Sequence, residues 1–390
     1  MKSLSEGIEE VQKLFEVGTQ YWLLGAGASV ESNIPLMYPL TARVKTCLQP
    51  PIADFFEKIV GDLPDNCHVE HVLSHLGDLI AIAERSKSKE VRFGQDAICL
   101  DDLKKTYKCI VTEIATTVRY GYRAARGGQA EEIGTLSAPI VDVTHHRRFV
   151  RQLFRRRTNL ESRSRISFIT TNYDTLLEDA LTLERRIPVD GFAGAAIAFW
   201  TGDDIESVDV YPTRTHRVLK LHGSVDWFKD DELGLLRVRY GVRYLSDLAN
   251  TLIYPQATKY VETQKDPFAR IFDCFRKSLA IKDSHILAIV GYSFGDEHIN
   301  GEIEHALSDR NNKTNIIAFS KEMEDVDGGT KLAPALERWR TNQSFGSRVY
   351  IASDKALYCG TNKMAGEEGK ELNWWTFSGL TDFLEQGAAA

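Results

Sequence analysis

The feature that most constrains this chain is a series of short apolar runs, each followed at once by small or polar residues. The runs are residues 21–24, 166–169, 218–221, 286–290 and 315–319. Runs without polar alternation suit strands that are buried on both faces of a parallel sheet. Because segments with a helical pattern separate them, the sequence predicts an α/β fold with a doubly wound, Rossmann-like parallel sheet.

Residues 51–160 interrupt this alternation. Around residues 69–80 the apolar side chains recur three to four positions apart, which is the period of a helix. We therefore expect residues 51–160 to form a helical insertion after the first strand. Residues 1–50 and 161–325 are then the two parts of the α/β domain, and residues 326–390 are a C-terminal segment that packs on it or serves assembly.

Composition narrows the class of partner. The chain has 390 residues and a net charge of −7, so it is not drawn as a whole to nucleic acid or to anionic lipid. We expect no membrane span, because no apolar stretch reaches the ~18 residues that one needs. The N-terminal residues lack the pattern of a signal peptide and the six cysteines are scattered, so we expect a cytoplasmic protein without a four-cysteine zinc site.

A glycine-rich loop follows the first run and comprises Gly25, Ala26, Gly27, Ala28 and Ser29. Glycines at such a position let the backbone approach a ligand and present N–H groups to a phosphate. The loop is not a P-loop, and Val30 replaces the third glycine of the dinucleotide-binding fingerprint. Alone, it indicates either a phosphate or nucleotide site, or no more than a tight strand-to-helix turn.

Polar side chains also follow the second and third runs. Thr171, Asn172 and Asp174 come after the second run, where an amide can hold a water or a ribose hydroxyl and a carboxylate can accept from hydroxyls. The alternative is that Asn172 or Asp174 merely caps the next helix. His222, after the third run, suits general-base chemistry near neutral pH, although a single histidine is more often structural.

The last two runs end in the same manner. Gly291 and Ser293 follow the fourth run, and Ser320 follows the fifth. The carboxyl ends of parallel strands meet at one edge of a sheet, where ligands of such folds bind. Two glycine turns at that edge could therefore embrace a dinucleotide, with Ser320 near its adenosine ribose or base.

Taken together and in order, these motifs resemble the sirtuin-like family of NAD-consuming domains, over residues 20–45 and 165–322. The resemblance implies that the first glycine loop binds the phosphates and ribose of NAD, with Thr171 in the same binding set. It also implies that Asn172 and Asp174 lie at the nicotinamide ribose and that His222 acts there as a base. The later glycine–serine turn, with Ser320, would hold the adenosine half.

Two departures from the family point to a particular group within it. The zinc ribbon of protein-deacylating sirtuins is absent, because only Cys274 and Cys359 follow His222, and the family's Gly-Ile-Pro-x-Phe-Arg lacks its Phe-Arg part at residues 33–38. The pattern is more similar to the zinc-free bacterial NAD hydrolases of anti-phage defence, which also carry a helical insertion. This resemblance implies hydrolysis of NAD to nicotinamide and ADP-ribose without a metal, by a homo-oligomer that in some members partners a HerA-type ATPase.

The mechanism that follows is a hypothesis about three side chains. Asn172 orients a water, His222 takes its proton directly or through a ribose hydroxyl, and Asp174 fixes the ribose or the geometry on the nicotinamide side. Two other functions stay open. One is an ADP-ribosyl transferase or a zinc-free deacylase, and the other is a sensor that binds NAD or ADP-ribose without turnover.

Three further signals are weaker. His71 and His75, close to Cys67 and His68, have the spacing of metal ligands, but their place off the apolar stripe argues against a metal. His145 and His146 lack a second ligand cluster, and we expect them at the surface. The segment from Arg147 to Arg165 holds eight arginines. It could contact nucleic acid, but we favour a solvated helix whose arginines pair with acids elsewhere in an assembly.

Overall fold

A nine-stranded sheet is the centre of the structure, a computed structural model that describes residues 2–16, 19–155, 165–206, 214–230, 232–239, 251–253, 266–325, 327–366 and 370–386. In chain order its strands are β1 (Thr19–Leu24), β2 (Arg165–Thr170), β3 (Ile187–Val189), β4 (Thr215–Lys220), β5 (His285–Val290), β6 (Thr314–Ser320), β7 (Val349–Ser353), β8 (Ala356–Cys359) and β9 (Asn362–Ala365).

The order of the strands shows a doubly wound sheet. Across the sheet it is β9-β8-β7-β6-β5-β1-β2-β4-β3. Neighbours from β7 to β3 are parallel, and only β8 and β9 at one edge run antiparallel. The chain starts at β1, winds outward on one side and then returns to β5 to wind outward on the other. The predicted fold class is therefore confirmed, and the topological switch point lies between β1 and β5.

The central strands are apolar on both sides because both faces of the sheet are covered. In β1, Tyr21 and Leu23 enter one hydrophobic core, while Trp22 and Leu24 enter the core on the opposite face. Every residue of β5 is buried. Such a strand has no side that faces water, which is why the sequence runs show no polar alternation.

Helices cover both faces of the sheet. The helices of the described residues are α1 (Leu4–Leu14), α2 (Met37–Cys47), α3 (Ile52–Asp62), α4 (Val69–Arg85), α5 (Leu100–Tyr120), α6 (Thr144–Arg155), α7 (Leu176–Leu183), α8 (Asp203–Glu206), α9 (Phe268–Leu279), α10 (Glu297–Ser308), α11 (Pro334–Thr341) and α12 (Phe377–Gln386). Helices α9, α10 and α11 pack on one face, and α1, α6, α7 and α12 on the other. Within this part of the chain no helix combines the length and the apolar character that crossing a membrane demands.

The helices between β1 and β2 have a core of their own. Helices α2 to α5 share it, and the hairpin Glu90–Phe93 with Asp96–Cys99 connects α4 to α5. Helix α2 contributes Leu40 and Val44 to this core, whereas α6 packs Phe149 against the sheet. The helical layer therefore runs from α2 to α5, while the predicted domain boundaries at residues 50, 160 and 325 stay a prediction.

A second sheet, which the sequence analysis did not predict, continues from β4. Its strands are antiparallel and comprise Phe192–Gly194, Ile197–Trp200, Gly223–Asp230, Gly234–Val238 and Thr251–Ile253. Shorter elements complete the fold: the 3-10 helices Ala26–Ser32, Gly346–Arg348 and Asn373–Trp375, and the strand pairs Tyr122–Arg123 with Glu132–Ile133 and Met323–Glu324 with Thr330–Lys331. Because His222 lies between β4 and the strand Gly223–Asp230, it is held from both sides by regular structure.

The surface position expected for His146 is wrong. This side chain of α6 is only 1% exposed, and its Nδ1 lies 3.2 Å from the hydroxyl of Ser32. Its ring also packs on Phe377 at 4.7 Å between ring centres. Burial lowers the pKa of His146 to about 4. The neighbouring His145 is half-buried and contacts the hydroxyl of Ser378.

The buried imidazole of His146 predicts a loss of stability in mild acid. Below its unfolded pKa of 6.5 the unfolded chain takes up a proton that the native ring refuses until about pH 4, so stability falls as the pH falls through that interval. Between pH 6.5 and 5 this group removes about 2 kcal/mol from the free energy of unfolding. His146→Gln should abolish that part of the pH dependence in urea unfolding, whereas His145→Gln should keep it. Equal pH slopes for wild type and His146→Gln would contradict the assignment.

Candidate functional site

The predicted site residues lie at the carboxyl edge of the sheet, after β1, β2, β4, β5 and β6. This is the edge where doubly wound folds bind ligands, close to the topological switch point. The switch point itself lies between the turn after β1 and the turn after β5.

The two glycine turns pack directly on each other. The N–H of Gly25 donates to the carbonyl of Val290 at 2.9 Å, and that of Gly27 donates to the carbonyl of Gly291 at 2.8 Å. A Cβ atom on Gly27 would lie 2.7 Å from the Cα of Gly291, which has a φ of +64°. Backbone therefore meets backbone here, and there is no room for side chains between the turns.

This contact explains why glycines are needed here, and the explanation differs from the predicted role in phosphate binding. The N–H of Ala28 also donates within the loop, to the carbonyl of Gly25 at 3.0 Å. Three amide groups of the loop that were expected to face a phosphate are thus engaged inside the protein. A contribution of the loop to phosphate binding stays a prediction.

Asn172, Ser29 and Asp174 form a directed chain of hydrogen bonds. The amide Nδ2 of Asn172 donates to the carbonyl of Gly25 and to the hydroxyl of Ser29, both at 3.0 Å. The Ser29 hydroxyl in turn donates to Oδ2 of Asp174 at 2.8 Å. All three side chains are at least 90% buried. These three predicted site residues therefore lie together in the structure.

The orientation of the Asn172 amide follows from its partners. A backbone carbonyl can only accept, so the nitrogen of the amide must face Gly25. The other amide atom, Oδ1, is then fixed on the opposite side, and among the described residues it has no hydrogen-bond partner although it is buried. Asn172 does not cap the next helix, whose N-cap residue is Thr175, so the helix-capping alternative does not hold for Asn172.

Asp174 has two functions in the structure. While Oδ2 accepts from Ser29, Oδ1 accepts from the backbone N–H of Leu176 at 3.0 Å, in the first turn of α7. Asp174 therefore supports the start of α7, as the helix-capping alternative predicted, and it also lies beside Asn172. Thr171 is held through its backbone, whose N–H donates to the carbonyl of Leu24 at 3.1 Å.

A cleft lies over this hydrogen-bonded chain. Its cavity volume is about 30 Å³, counted as the space open to the centres of water molecules. Its polar wall comes from the strand ends and its apolar wall from the start of the helical layer; the lining residues are Ala26, Ser29, Ile34, Pro35, Met37, Leu40, Val118, Thr171, Asn172, Tyr173 and Asp174. His222, Gly291, Ser293 and Ser320 do not line it.

The helical layer is also tied to the site by a buried polar contact. The hydroxyl of Tyr173, between the two polar residues of the loop, donates to the carboxylate of Glu70 in α4. Both side chains are buried, and burial raises the pKa of Tyr173 well above its usual value. The sequence analysis missed Glu70, because a single acidic residue on a helix carries no signal of a partner 103 positions away.

His222 is paired with an acidic residue that the sequence analysis did not single out. Its Nε2 lies 3.1 Å from Oδ2 of Asp296, and both side chains are buried. The ring of His222 is centred 6.5 Å from the ring of Tyr173, the neighbour of Asn172. The only signal for Asp296 in the sequence was its place before a helix, where it acts as the N-cap of α10.

A buried ion pair supports the loop from below. Lys220, the last residue of β4, lies 3.1 Å from Glu178 of α7 and donates to the backbone carbonyl of Asp174. Burial raises the pKa of Glu178, and the charges of Lys220 and Arg239 act in the opposite direction. The pair fixes the loop that carries Asn172 to the strand that precedes His222.

The remaining predicted site residues are not brought to the cleft. The Ser293 hydroxyl is exposed and accepts from the N–H of Gly295 at 3.3 Å, and the Ser320 hydroxyl donates to the carbonyl of Lys321 at 3.3 Å. Their contact with a nucleotide stays a prediction. Across the described ranges, no three His, Cys, Asp or Glu side chains are grouped in a way that could hold a metal ion.

The arginines of α6 pair with acids of the same chain. Arg147 and Arg151 contact Glu184, and Arg148 and Arg155 contact Glu385. These ion pairs are partly exposed and therefore contribute little to stability. Residues 156–164 of the arginine-rich segment lie outside the described residues, and nucleic-acid contact by this segment stays a prediction.

The fold and the site define a doubly wound α/β protein with a polar cleft beside its switch point. Within it, residues 166–343 match the family model described as SIR2-like domain, a span that includes Asn172, His222 and Asp296 but not the first glycine loop. The match indicates an NAD-dependent activity, either deacylation or another processing of NAD.

Two similar solved structures are complexes of mutant Sir2 homologues with ADP-ribose. One is 14% identical, covers 82% of this chain and 86% of its own, and has a TM-score of 0.34. The other is 13% identical, covers 98% of both chains and has a TM-score of 0.39. No curated protein matches the chain.

The packing of the glycine turns makes a prediction about stability. Gly27→Ala forces a Cβ against the backbone of Gly291 and should lower the free energy of unfolding by about 1–3 kcal/mol. Gly295→Ala, in the second turn, is a matched control: its Cβ would meet only the Ser293 hydroxyl, at an ordinary 3.4 Å. Urea unfolding of both variants is the measurement. Equal stabilities would show that the glycine at position 27 is not needed for packing.

Proposed function

We propose that the protein hydrolyses NAD at the bond between nicotinamide and ribose, releasing nicotinamide and ADP-ribose. The match to the SIR2-like domain supports an NAD-dependent chemistry. The observation that carries the proposal is the amide of Asn172, whose nitrogen is held by Gly25 and Ser29 while its Oδ1 is buried without a partner among the described residues.

An acceptor buried in this state costs about 1–3 kcal/mol unless a donor reaches it. A water or a ribose hydroxyl supplies such a donor, and Asn172 lines the cleft. The folded protein therefore already holds the amide of Asn172 in place before a ligand binds. Such preorganisation favours a reaction in which a water must be oriented toward one carbon atom.

Hydrolysis of this bond places further demands on the site. Positive charge develops on the ribose as the bond breaks, and nicotinamide leaves as a neutral ring. In the proposal, Asp174 fixes the ribose and stabilises that charge, while His222 takes the proton of the attacking water directly or through a ribose hydroxyl. The first glycine loop and the turn with Gly291 and Ser293 bind the rest of the dinucleotide.

The biological setting is part of the same proposal. Unrestrained hydrolysis of NAD depletes a cell of its main hydride carrier, which suits bacterial anti-phage defence. A homo-oligomer and a HerA-type ATPase partner follow from the same resemblance in the sequence, whereas the proposed location in the cytoplasm rests on the scattered cysteines. These proposals are independent of the chemistry at Asn172.

Asn172→Ala tests the chemistry. The variant should lower the rate of nicotinamide release from NAD by about a hundredfold or more, because the oriented acceptor at the reacting centre is lost. The measurement is nicotinamide formed per minute by chromatography, with ADP-ribose followed in the same runs. A variant that consumes NAD at the wild-type rate would contradict the role of Asn172.

Asn312→Ala is the matched control for that experiment. Asn312 is also a buried asparagine with its Nδ2 on a backbone carbonyl, 2.7 Å from that of Leu279, but it precedes β6 at the opposite edge of the sheet. Its loss should affect stability and leave NAD consumption unchanged. The products separate the alternatives: an ADP-ribosylated acceptor indicates ADP-ribosyl transfer, acylated ADP-ribose indicates deacylation, and a tight NAD complex without nicotinamide indicates a sensor.

A further inference from the structure

The contact between His222 and Asp296 differs from a surface salt bridge because both side chains are buried. The Nε2–Oδ2 distance is 3.1 Å, and the side chains are only 6% and 5% exposed. A carboxylate can only accept a hydrogen bond, so the imidazole carries its proton on Nε2 in this contact. Charge-assisted bonds of this kind are roughly twice as strong as neutral ones.

The contact also spans the sheet. His222 follows β4 and Asp296 follows β5, and both β1 and β2 lie between these strands. With neighbouring strands ~4.8 Å apart, the two strand ends are separated by about 14 Å. The chain segments after β4 and β5 therefore converge over the ends of β1 and β2, from which Ser29 and Asn172 extend.

The carboxylate of Asp296 is held in one orientation. Its Oδ1 accepts from the backbone N–H groups of His298 at 3.1 Å and Ile299 at 3.4 Å, which makes Asp296 the N-cap of α10. Its backbone carbonyl accepts from the hydroxyl of Tyr292 at 3.2 Å. Rotation away from His222 would break the cap, so the helix start fixes the oxygen that meets the imidazole.

Capping alone does not account for this arrangement. Serine, threonine and asparagine satisfy the start of a helix about as well as aspartate does. At position 296 the capping residue is an aspartate. Its Oδ1 caps the helix, and its other oxygen, Oδ2, contacts a buried imidazole. The second oxygen thus has a partner whose proton affinity depends on it.

We propose that Asp296 is the positioning residue for the base of this site. It fixes the orientation of His222 and the nitrogen that bears its proton, and it stabilises the imidazolium that forms when the ring takes a second proton. The catalytic meaning of this pair rests on the proposed hydrolysis of NAD. The pair itself is a property of the folded protein and can be measured without turnover.

The protons balance as follows. The proton of the attacking water moves to Nδ1 of His222, directly or through a ribose hydroxyl. The Nε2–H group stays hydrogen-bonded to Asp296. The oxygen of that water bonds to the anomeric carbon, and the electron pair of the broken bond leaves with nicotinamide. His222 later releases its proton to solvent, so that hydrolysis of one NAD yields one proton.

Two tyrosines also face this pair. The ring of Tyr173 is centred 6.5 Å from that of His222, with its hydroxyl on Glu70, and the hydroxyl of Tyr292 is bonded to the backbone of Asp296. Burial raises the pKa of both phenols, so both are neutral near pH 7. Asp296 is an acidic residue in direct contact with His222, whereas Glu70 is bonded to Tyr173.

Asp296→Asn provides the kinetic test. Without the anion the imidazolium is less stable, so the pKa of His222 falls and the acid limb of the pH profile for nicotinamide release moves to lower pH, by about one unit or more. The plateau rate should fall about tenfold or more with little change in KM for NAD, since the weaker base acts in the chemical step. Tyr292→Phe is the matched control: it removes the hydroxyl bonded to the same residue but keeps the carboxylate, and its acid limb should stay in place.

A second measurement separates this inference from the proposed function. The pKa of the His222 ring is followed by NMR in the ligand-free protein, with the signal assigned by its loss in His222→Gln. It should fall in Asp296→Asn and in Asp296→Ser, in which serine retains a helix cap, and stay unchanged in Tyr292→Phe. If the wild type releases no nicotinamide while this pattern holds, the function is wrong and the pairing stands. If neither Asp296 variant shifts the pKa of His222, Asp296 only caps its helix and the inference is overturned.

Discussion

Backbone contact between the turns after β1 and β5 is the constraint on which the rest of the site depends. Gly27 donates to Gly291 where a Cβ on either residue would collide with the other turn. Because the turns are locked together, the start of the 3-10 helix Ala26–Ser32 is fixed against the sheet, and with it the hydroxyl of Ser29. That hydroxyl accepts from Asn172 and donates to Asp174. A contact with no side chains in it therefore sets the positions of the polar groups in the cleft.

The helical layer is a second determinant of the same site. It supplies the apolar wall of the cleft, and Glu70 in α4 accepts from Tyr173 in the loop that carries Asn172. This hydrogen bond joins two buried side chains, one in the helical layer and one in the loop. Movement of α4 relative to the sheet is thus coupled to the residues on either side of Tyr173.

Sequence patterns predicted the sheet better than they predicted the contacts within the site. The apolar runs marked β1, β2, β4, β5 and β6 because a strand buried on both faces leaves no choice of residue type. The pairing of His222 with Asp296 joins positions 74 apart, and nothing in either local pattern specifies the other. His146 was misassigned because an imidazole on a helix rich in arginine has the composition of a surface, although burial decides its environment. The glycine motif was recognised, but its packing reason requires the neighbouring turn to be known.

The charges around the cleft favour one kind of chemistry over another. Breaking a bond to a cationic nicotinamide transfers positive charge to the sugar, and carboxylates stabilise such a charge. Two buried carboxylates, Asp174 and Asp296, belong to the loops of the site, while the buried cation beneath it, Lys220, is already paired with Glu178. Buried ionic groups cost stability unless they are paired or hydrogen-bonded. Lys220 is paired with Glu178 and Asp296 with His222, while Asp174 accepts hydrogen bonds from Ser29 and Leu176. A fold that only buried a core would not need these buried charges, and their presence is consistent with the proposed hydrolysis of NAD.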